Sequence, residues 1–283
     1  MAHQFRVTRN LAALRRVTAG YREAGETIAL VPTMGALHAG HQSLVELAKR
    51  KAHRVVVSIF VNPTQFGPKE DFATYPRSWD TDVAALKSAK IDLIWAPQLR
   101  IMYPPGFATR IVPEGPAVAG LEDAFRPHFF GGVATVVAKL FIQAQPDIAI
   151  FGQKDYQQLK VIERMVADMA LPVRIVAAPT MREKDGLAMS SRNAYLSAQD
   201  RAAAPVLYRV LRGVATGLRR GEPLERNLAK ARTEIDRAGF TLDYLEARDA
   251  ETLQPLGARP KGRIRLLVAA RIGKTRLIDN IAV

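Results

Sequence analysis

Five short runs in the first two thirds of the chain, at 27–32, 54–61, 92–96, 147–152 and 173–178, are apolar almost throughout. A strand with one wet face alternates apolar and polar residues, whereas a continuous apolar run implies burial on both faces. Between the first two runs, Leu44, Val45, Leu47 and Ala48 follow helical spacing over 40–52, and helices also fit 78–89, 132–145 and 155–171. Strand and helix in turn predict an α/β fold, a Rossmann-like parallel sheet with helices on both faces. No GxGxxG fingerprint is present. In such sheets ligands bind beyond the carboxyl ends of the strands, where the strand order reverses. The segments that follow the strands are therefore where chemistry is expected.

The pattern changes near 180–185. Ser197 with Asp200 three residues on resembles a capping box, and Pro205 predicts a break in the Arg-rich helical stretch that follows. A second helix fits 224–238, and β-rich segments fit 241–248, 263–271 and 275–282. This predicts a larger Rossmann-like domain over 1–182 and a smaller C-terminal α+β domain over 183–283. No internal repeat or low-complexity segment appears.

The chain contains no cysteine, which excludes disulfides, thiolate metal sites and cysteine nucleophiles. No run of 18 apolar residues and no signal-peptide pattern occurs, so no membrane association and a cytoplasmic location are the expectations. The net charge of +14 divides as 22 basic against 15 acidic side chains up to residue 182 and 19 against 12 after it. Without a Lys/Arg block or interleaved aromatics this reads as a solvated surface, not a nucleic-acid site. A positive field also gathers anionic substrates.

Four segments carry chemistry. Val31–His41 (VPTMGALHAGH) follows a strand and opens a helix, where backbone N–H groups favour an anion. His38 and His41, three apart, can direct both rings at one phosphate, and Gly35 and Gly40 permit close approach. A plain strand–loop–helix connection with surface histidines is the alternative. In 60–67 (FVNPTQFG), Asn62 and Gln65 offer uncharged donors and acceptors, although Asn-Pro is also ordinary turn chemistry. In 151–158 (FGQKDYQQ), Gly152 allows close approach, Lys154 offsets phosphate charge, Asp155 can cap the helix or accept from a ribose hydroxyl, and Gln158 lies one turn on. A capped helix with a solvated lysine fits the same letters. Finally, Met189-Ser190-Ser191-Arg192 resembles a KMSKS-type loop, with two hydroxyls and a planar cation for a triphosphate. It lies at the predicted domain junction, where a polar linker is the alternative and a lid closing on ATP would be hinged.

Together, PTMGALHAGH, FVNPTQFG, YPR at 75–77, FGQKDYQQL and REKDGLAMSSRNAYLS closely resemble the pantothenate synthetase family, in order from about 28 to 198. That family is fold-level kin of class I aminoacyl-tRNA synthetases within the HIGH-type nucleotidyltransferase superfamily. The resemblance implies a homodimer whose subunits carry a Rossmann domain and a C-terminal lid. It implies ATP-dependent condensation of pantoate with β-alanine through a pantoyl-adenylate, with AMP and pyrophosphate released. By the same resemblance Met34, Gly35, Ala36, Leu37, His38, Ala39, Gly40 and His41 form the first ATP loop, with His41 the proton donor and His38 on phosphate. Gly152, Gln153, Lys154 and Asp155 form the adenosine loop, Met181 contacts the nucleotide, and Met189, Ser190, Ser191 and Arg192 wrap the triphosphate. Gln65 and Gln158 hold pantoate, Gln65 also lies near the β-alanine site, and Asn62 and Tyr75 are nearby. Mg²⁺ accompanies ATP. Asp80 and Asp82 are the nearest candidate ligands for it, and a solvated helix start is the other reading of that pair.

In the implied reaction pantoate's carboxylate attacks the α-phosphorus of ATP. His38, His41, Lys154 and Arg192, with Mg²⁺, offset charge on the departing pyrophosphate. The β-alanine amine then attacks the adenylate carbonyl. The chain departs from the family pattern at Asp123, His128 and Phe129, and at Gln153 in place of the usual glutamate. The alternatives are another adenylate-forming enzyme of the superfamily acting on a different small acid, and a nucleic-acid-binding protein. Asn62, Gln65 and Gln158 weigh against the first, and ATP turnover without salt-dependent DNA binding would exclude the second.

Overall fold

The computed structural model describes residues 5–68, 70, 72–256 and 262–283. Strands β1 (Arg6–Thr8), β2 (Ile28–Thr33), β3 (Arg54–Ile59), β4 (Leu93–Trp95), β5 (Ile148–Gly152) and β6 (Arg174–Ala178) form one sheet in the order β1-β4-β3-β2-β5-β6. Every pairing in it is parallel. The five apolar runs become β2 to β6, and their successive residues point to opposite faces. Ile28, Leu30, Val56, Leu93 and Phe151 pack into one core, and Ala29, Val31, Val57, Ile94 and Ile150 into another.

The first core is covered by α1 (Leu11–Glu23), α6 (Phe129–Ala144) and α7 (Tyr156–Asp168); α2 (Ala39–Lys51) and α3 (Trp79–Ser88) cover the second. Two single-turn helices, α4 (Leu99–Met102) and α5 (Glu122–Phe125), lie in the crossover between β4 and β5. β1 and α1 are not among the elements expected from the sequence. β1 is three residues long and mostly exposed, so it lacks the apolar signal of its neighbours. α1 is started by Asn10, whose side chain accepts from the Ala13 N–H at 3.1 Å.

Strand β2 leads through α2 to β3 on one side, while β5 flanks it on the other. The strand order therefore reverses between β2 and β5, and a crevice opens above their carboxyl ends. Helix α6 closes the crevice from one side. Thirteen of its sixteen residues are buried, which suits a helix apolar all round.

After the parallel sheet come α8 (Ala198–Ala203), α9 (Val206–Arg219) and α10 (Leu224–Arg237). Strands β7 (Thr241–Asp249), β8 (Ile264–Ile272) and β9 (Thr275–Ala282) then form an antiparallel sheet. The Ser197 side chain accepts from the Asp200 N–H at 3.1 Å, and Pro205 separates α8 from α9 as the sequence predicts. Along β8, Leu266, Val268 and Ala270 pack against α9 and α10, whereas Leu267 and Ala269 join the core of the parallel sheet. The small sheet is thus buried on both faces.

Polar contacts join the small sheet to the β4–β5 crossover. Arg276 on β9 donates to both oxygens of Glu122 on α5, at 2.7 and 2.8 Å, and to Asp243 on β7 at 2.6 Å. The Tyr244 hydroxyl donates to Glu122 at 2.8 Å. These groups are largely buried, so removing one partner strands a charge, at a cost of about 3–5 kcal/mol.

Candidate active site

The crevice forms a cavity of about 280 Å³. Its walls contain Met34, His38, Gly40 and His41 from the β2–α2 connection and Asn62, Gln65 and Tyr75 from beyond β3. Gly152, Lys154, Asp155 and Gln158 line it from the end of β5 onward, and Met181, Met189, Ser190, Ser191 and Arg192 from beyond β6. Four segments far apart in sequence therefore meet at the carboxyl edge of one sheet. Gly35, Ala36, Leu37, Ala39 and Gln153, also predicted, do not line the cavity.

His38 is the N-cap of α2, and its Nδ1 accepts from the Gly40 N–H at 3.1 Å. His41 Nδ1 accepts from the His38 N–H at 3.3 Å, and the two rings lie 4.1 Å apart. An Nδ1 that accepts carries no proton, so each neutral ring holds its hydrogen on Nε2. Burial, reinforced by His38 and Lys154, lowers the pKa of His41 to about 3. The pKa of His38 is also lowered, by burial and then by Lys154. Both rings are neutral hydrogen-bond donors near pH 7.

Beyond β3, Asn62 is fully buried. Its Oδ1 accepts from the Tyr103 hydroxyl at 2.7 Å and the Thr64 hydroxyl at 3.0 Å, and its Nδ2 donates to Gln65 Oε1 at 3.1 Å and Gly132 O at 3.2 Å. Asn62 thus orients Gln65 more than it offers groups of its own. With Oε1 held by Asn62, the Gln65 amide nitrogen, which reaches Met34 Sδ at 3.0 Å, is its donor toward the cavity. Gly132 lets α6 lie against this turn, since a Cβ there would fall 2.3 Å from Thr64 O. Tyr75 is buried, packs edge-on against Phe66, and brings its hydroxyl 3.5 Å from Ser191 Oγ.

The turn bearing Lys154 is held from the C-terminal sheet: Asn280 Nδ2 donates to the carbonyls of Gln153 and Lys154 at 3.0 and 2.7 Å. Asp155 stands at the N-cap of α7 without capping it, and lies 3.4 Å from Lys154 Nζ instead. The 181–189 segment is a short antiparallel hairpin, with Met189 N–H donating to Met181 O at 3.0 Å. Arg182 fixes its base through a two-pronged pair with Asp279 at 2.6 and 2.8 Å, its guanidinium 3.7 Å over the Tyr208 ring. The hairpin's outgoing arm presents Ser190, Ser191 and Arg192 to the cavity.

One wall of the cavity is not a loop and carries no motif in the sequence. Val133, Val136, Val137 and Leu140 of α6 and Arg276, Asp279 and Asn280 of β9 also line the cavity. The available signal for α6 is its lack of a polar face. Among the departures from the family pattern, Asp123 accepts from the N–H groups of Gly120 and Leu121 and from Gln157 Nε2, at 2.8 to 3.0 Å, which ties 120–123 to α7. Phe129 lies under the Arg126 guanidinium at 3.8 Å.

Neither acidic candidate for Mg²⁺ lines the cavity. Asp80 is exposed at the start of α3. Asp82 is buried, with its oxygens accepting from Ala36 N at 3.0 Å, Leu37 N at 2.9 Å and Ser78 Oγ at 3.2 Å. Among the described residues no three His, Cys, Asp or Glu converge as a metal site, and no helix is long and apolar enough to cross a membrane.

A family model described as pantoate-beta-alanine ligase matches residues 6–282. The chain belongs to the pantoate-beta-alanine ligase family. Similar family members include pantothenate synthetases of Rhodopseudomonas palustris, 61% identical over 98% of both chains, and of Bradyrhizobium sp., 62% identical over the full length of both. The crystal structure of pantothenate synthetase from Thermus thermophilus superposes with a TM-score of 0.92 at 47% identity, covering 98% of this chain and 99% of that one. The pantoate-beta-alanine ligase of Francisella tularensis, solved with βγ-ATP and β-alanine, gives 0.82 at 35%, covering 98% and 97%.

Proposed function

We propose that the cavity takes ATP and pantoate together and joins them as a pantoyl-adenylate, releasing pyrophosphate. The acyl group then passes to the amine of β-alanine, giving pantothenate and AMP. The observation that carries this reading is the meeting of phosphate donors and amide donors around one cavity. His38, His41, Lys154, Ser190, Ser191 and Arg192 stand with Gln65, Gln158 and the apolar wall of α6. Family membership supports the same chemistry.

In this reading the β2–α2 loop, the turn at 152–155 and Met181 hold the nucleotide, and the Met189–Arg192 arm lies along the triphosphate. Gln65, oriented by Asn62, and Gln158 donate to pantoate, whose two methyl groups suit Val133, Val136 and Val137. His38 and His41 donate from Nε2 to phosphate oxygens. Lys154 and Arg192 offset the charge that grows on the leaving pyrophosphate. Transfer of a whole proton from His41 requires nearby phosphate charge to raise its pKa first. Mg²⁺ is proposed to arrive bound to the phosphates of ATP, where it supplies further charge compensation.

We further propose a cytoplasmic homodimer in which residues 183–283 act as a lid that shields the adenylate from water. The C-terminal core built by α9, α10 and β8 supports a unit of this extent. Sedimentation tests the dimer: a species near the 31.2 kDa of one chain would overturn it. The reaction is tested with ATP, Mg²⁺, pantoate and β-alanine. Pyrophosphate exchange into ATP that needs pantoate but not β-alanine supports the adenylate. AMP release that does not depend on pantoate overturns the reading.

A further inference from the structure

Asp82 lies on α3, 46 residues beyond the loop it touches. Its carboxylate is almost wholly buried, yet among the described residues no basic side chain pairs with it; two backbone N–H groups and one hydroxyl do. Oδ2 accepts from Ala36 N and Oδ1 from Leu37 N, so both oxygens are engaged by consecutive residues of one turn. That turn has an uncommon backbone. Gly35 has φ +81° and Ala36 φ +50°, two consecutive left-handed residues, and the second carries a Cβ. A non-glycine residue there is disfavoured unless its surroundings hold it. Gly35 also admits Asp82, because a Cβ at 35 would meet Oδ2 at 3.0 Å.

The turn leads directly into His38 and the first turn of α2. Its direction therefore sets where both Nε2 atoms and the helix N-terminus face. Asp82 reaches the nucleotide part of the cavity only through this backbone.

We infer that Asp82 is a positioning residue for the nucleotide, acting from α3 as a carboxylate clamp on the left-handed Gly35-Ala36-Leu37 turn that sets the direction of His38 and His41. This rests on the reading of the 34–41 loop as the nucleotide loop. A carboxylate accepts from both N–H groups at once, whereas an amide in its place offers one oxygen and turns its NH₂ against the second N–H. An alkyl group holds neither.

The test compares Asp82→Ala and Asp82→Asn in the full chain by steady-state kinetics, thermal unfolding and a pantoate titration. Loss of buried hydrogen bonds to a charged group predicts a KM for ATP raised about tenfold or more in Asp82→Ala and less in Asp82→Asn. The affinity for pantoate should stay within about twofold in the asparagine variant, a split that general loosening does not produce. Parallel losses for ATP and pantoate that track the fall in Tm would overturn the inference in favour of plain stability. Activity restored by raising Mg²⁺ would overturn it in favour of a metal ligand. Unchanged kinetics in both variants, with His41→Ala still impaired, would overturn the role of Asp82 alone. A rise confined to the KM for pantoate would overturn the nucleotide assignment of the loop as well.

Discussion

His41 Nδ1 accepts the backbone N–H of His38 at 3.3 Å, so the second histidine of the loop completes the cap of the helix on which it sits. This one contact fixes the ring's tautomer and leaves Nε2 as its donor. It also separates the two jobs of the residue by atom. In His41→Asn the amide oxygen replaces Nδ1 and keeps the cap, but nothing replaces Nε2. Turnover is expected to fall about 10²–10³-fold, as for loss of one preorganised donor to developing charge. The Tm should move little, while His41→Ala loses both functions. A His41→Asn enzyme with near-normal turnover would count against the donor role.

Burial of neutral His41 also makes stability depend on pH. Its pKa is about 3 in the fold against an ordinary value of 6.5, so the unfolded chain binds the proton more readily. The contribution of the neutral ring is complete above pH 6.5 and is lost as the pH falls from there toward 3. Urea midpoints measured across that window should decline, and His41→Asn should flatten the decline. Equal slopes for the two proteins would remove His41 as the cause.

Gly132→Ala inserts a methyl group 2.3 Å from Thr64 O and 2.8 Å from Gln65 N. Helix α6 or the 63–65 turn must shift, with an overpacking cost of about 1–3 kcal/mol. Because Asn62 and Gln65 ride on that turn, the KM for pantoate should rise more than the KM for ATP. Thermal unfolding and the two KM values check it together.

Arg276→Met removes the guanidinium that joins Glu122 to Asp243. Two largely buried carboxylates then lose their main partner, and stability should fall by about 3–5 kcal/mol. Denaturant unfolding gives the value. If the small sheet moves as a lid, the same variant should also hydrolyse the adenylate more readily, seen as AMP formed in excess of pantothenate.

Much of the site is legible in the chain alone. The strand runs locate the carboxyl edge of the sheet; the phosphate chemistry proposed at 34–41 and 152–155 follows from residue types placed just after strands, and that at 189–192 from its likeness to a KMSKS-type loop. Three features are not. The role of Asn62 as the support of Gln65 depends on α6 arriving 70 residues later. The clamp of Asp82 on the loop spans 46 residues. Asn280 holds the Lys154 turn from the far end of the chain. None has a local signature, since a buried Asp or Asn in sequence looks the same as a solvated one.

By itself the sequence determined what local patterning controls. That comprises the 3.6-residue apolar spacing of the helices, the continuous apolar runs of the strands, the cap at Ser197, the break at Pro205, and the motifs by which the family is identified. The tertiary structure decided which polar groups are free to meet a ligand and which are already engaged. The reason is that a buried hydrogen bond is a property of two groups and the water excluded around them. For Asn62 and Asp82 the second group lies on another element. The opposite is true of His38 and His41, whose cap is local. The sequence could therefore point to their helix start, but only the fold, by withdrawing the rings from water, lowered their pKa.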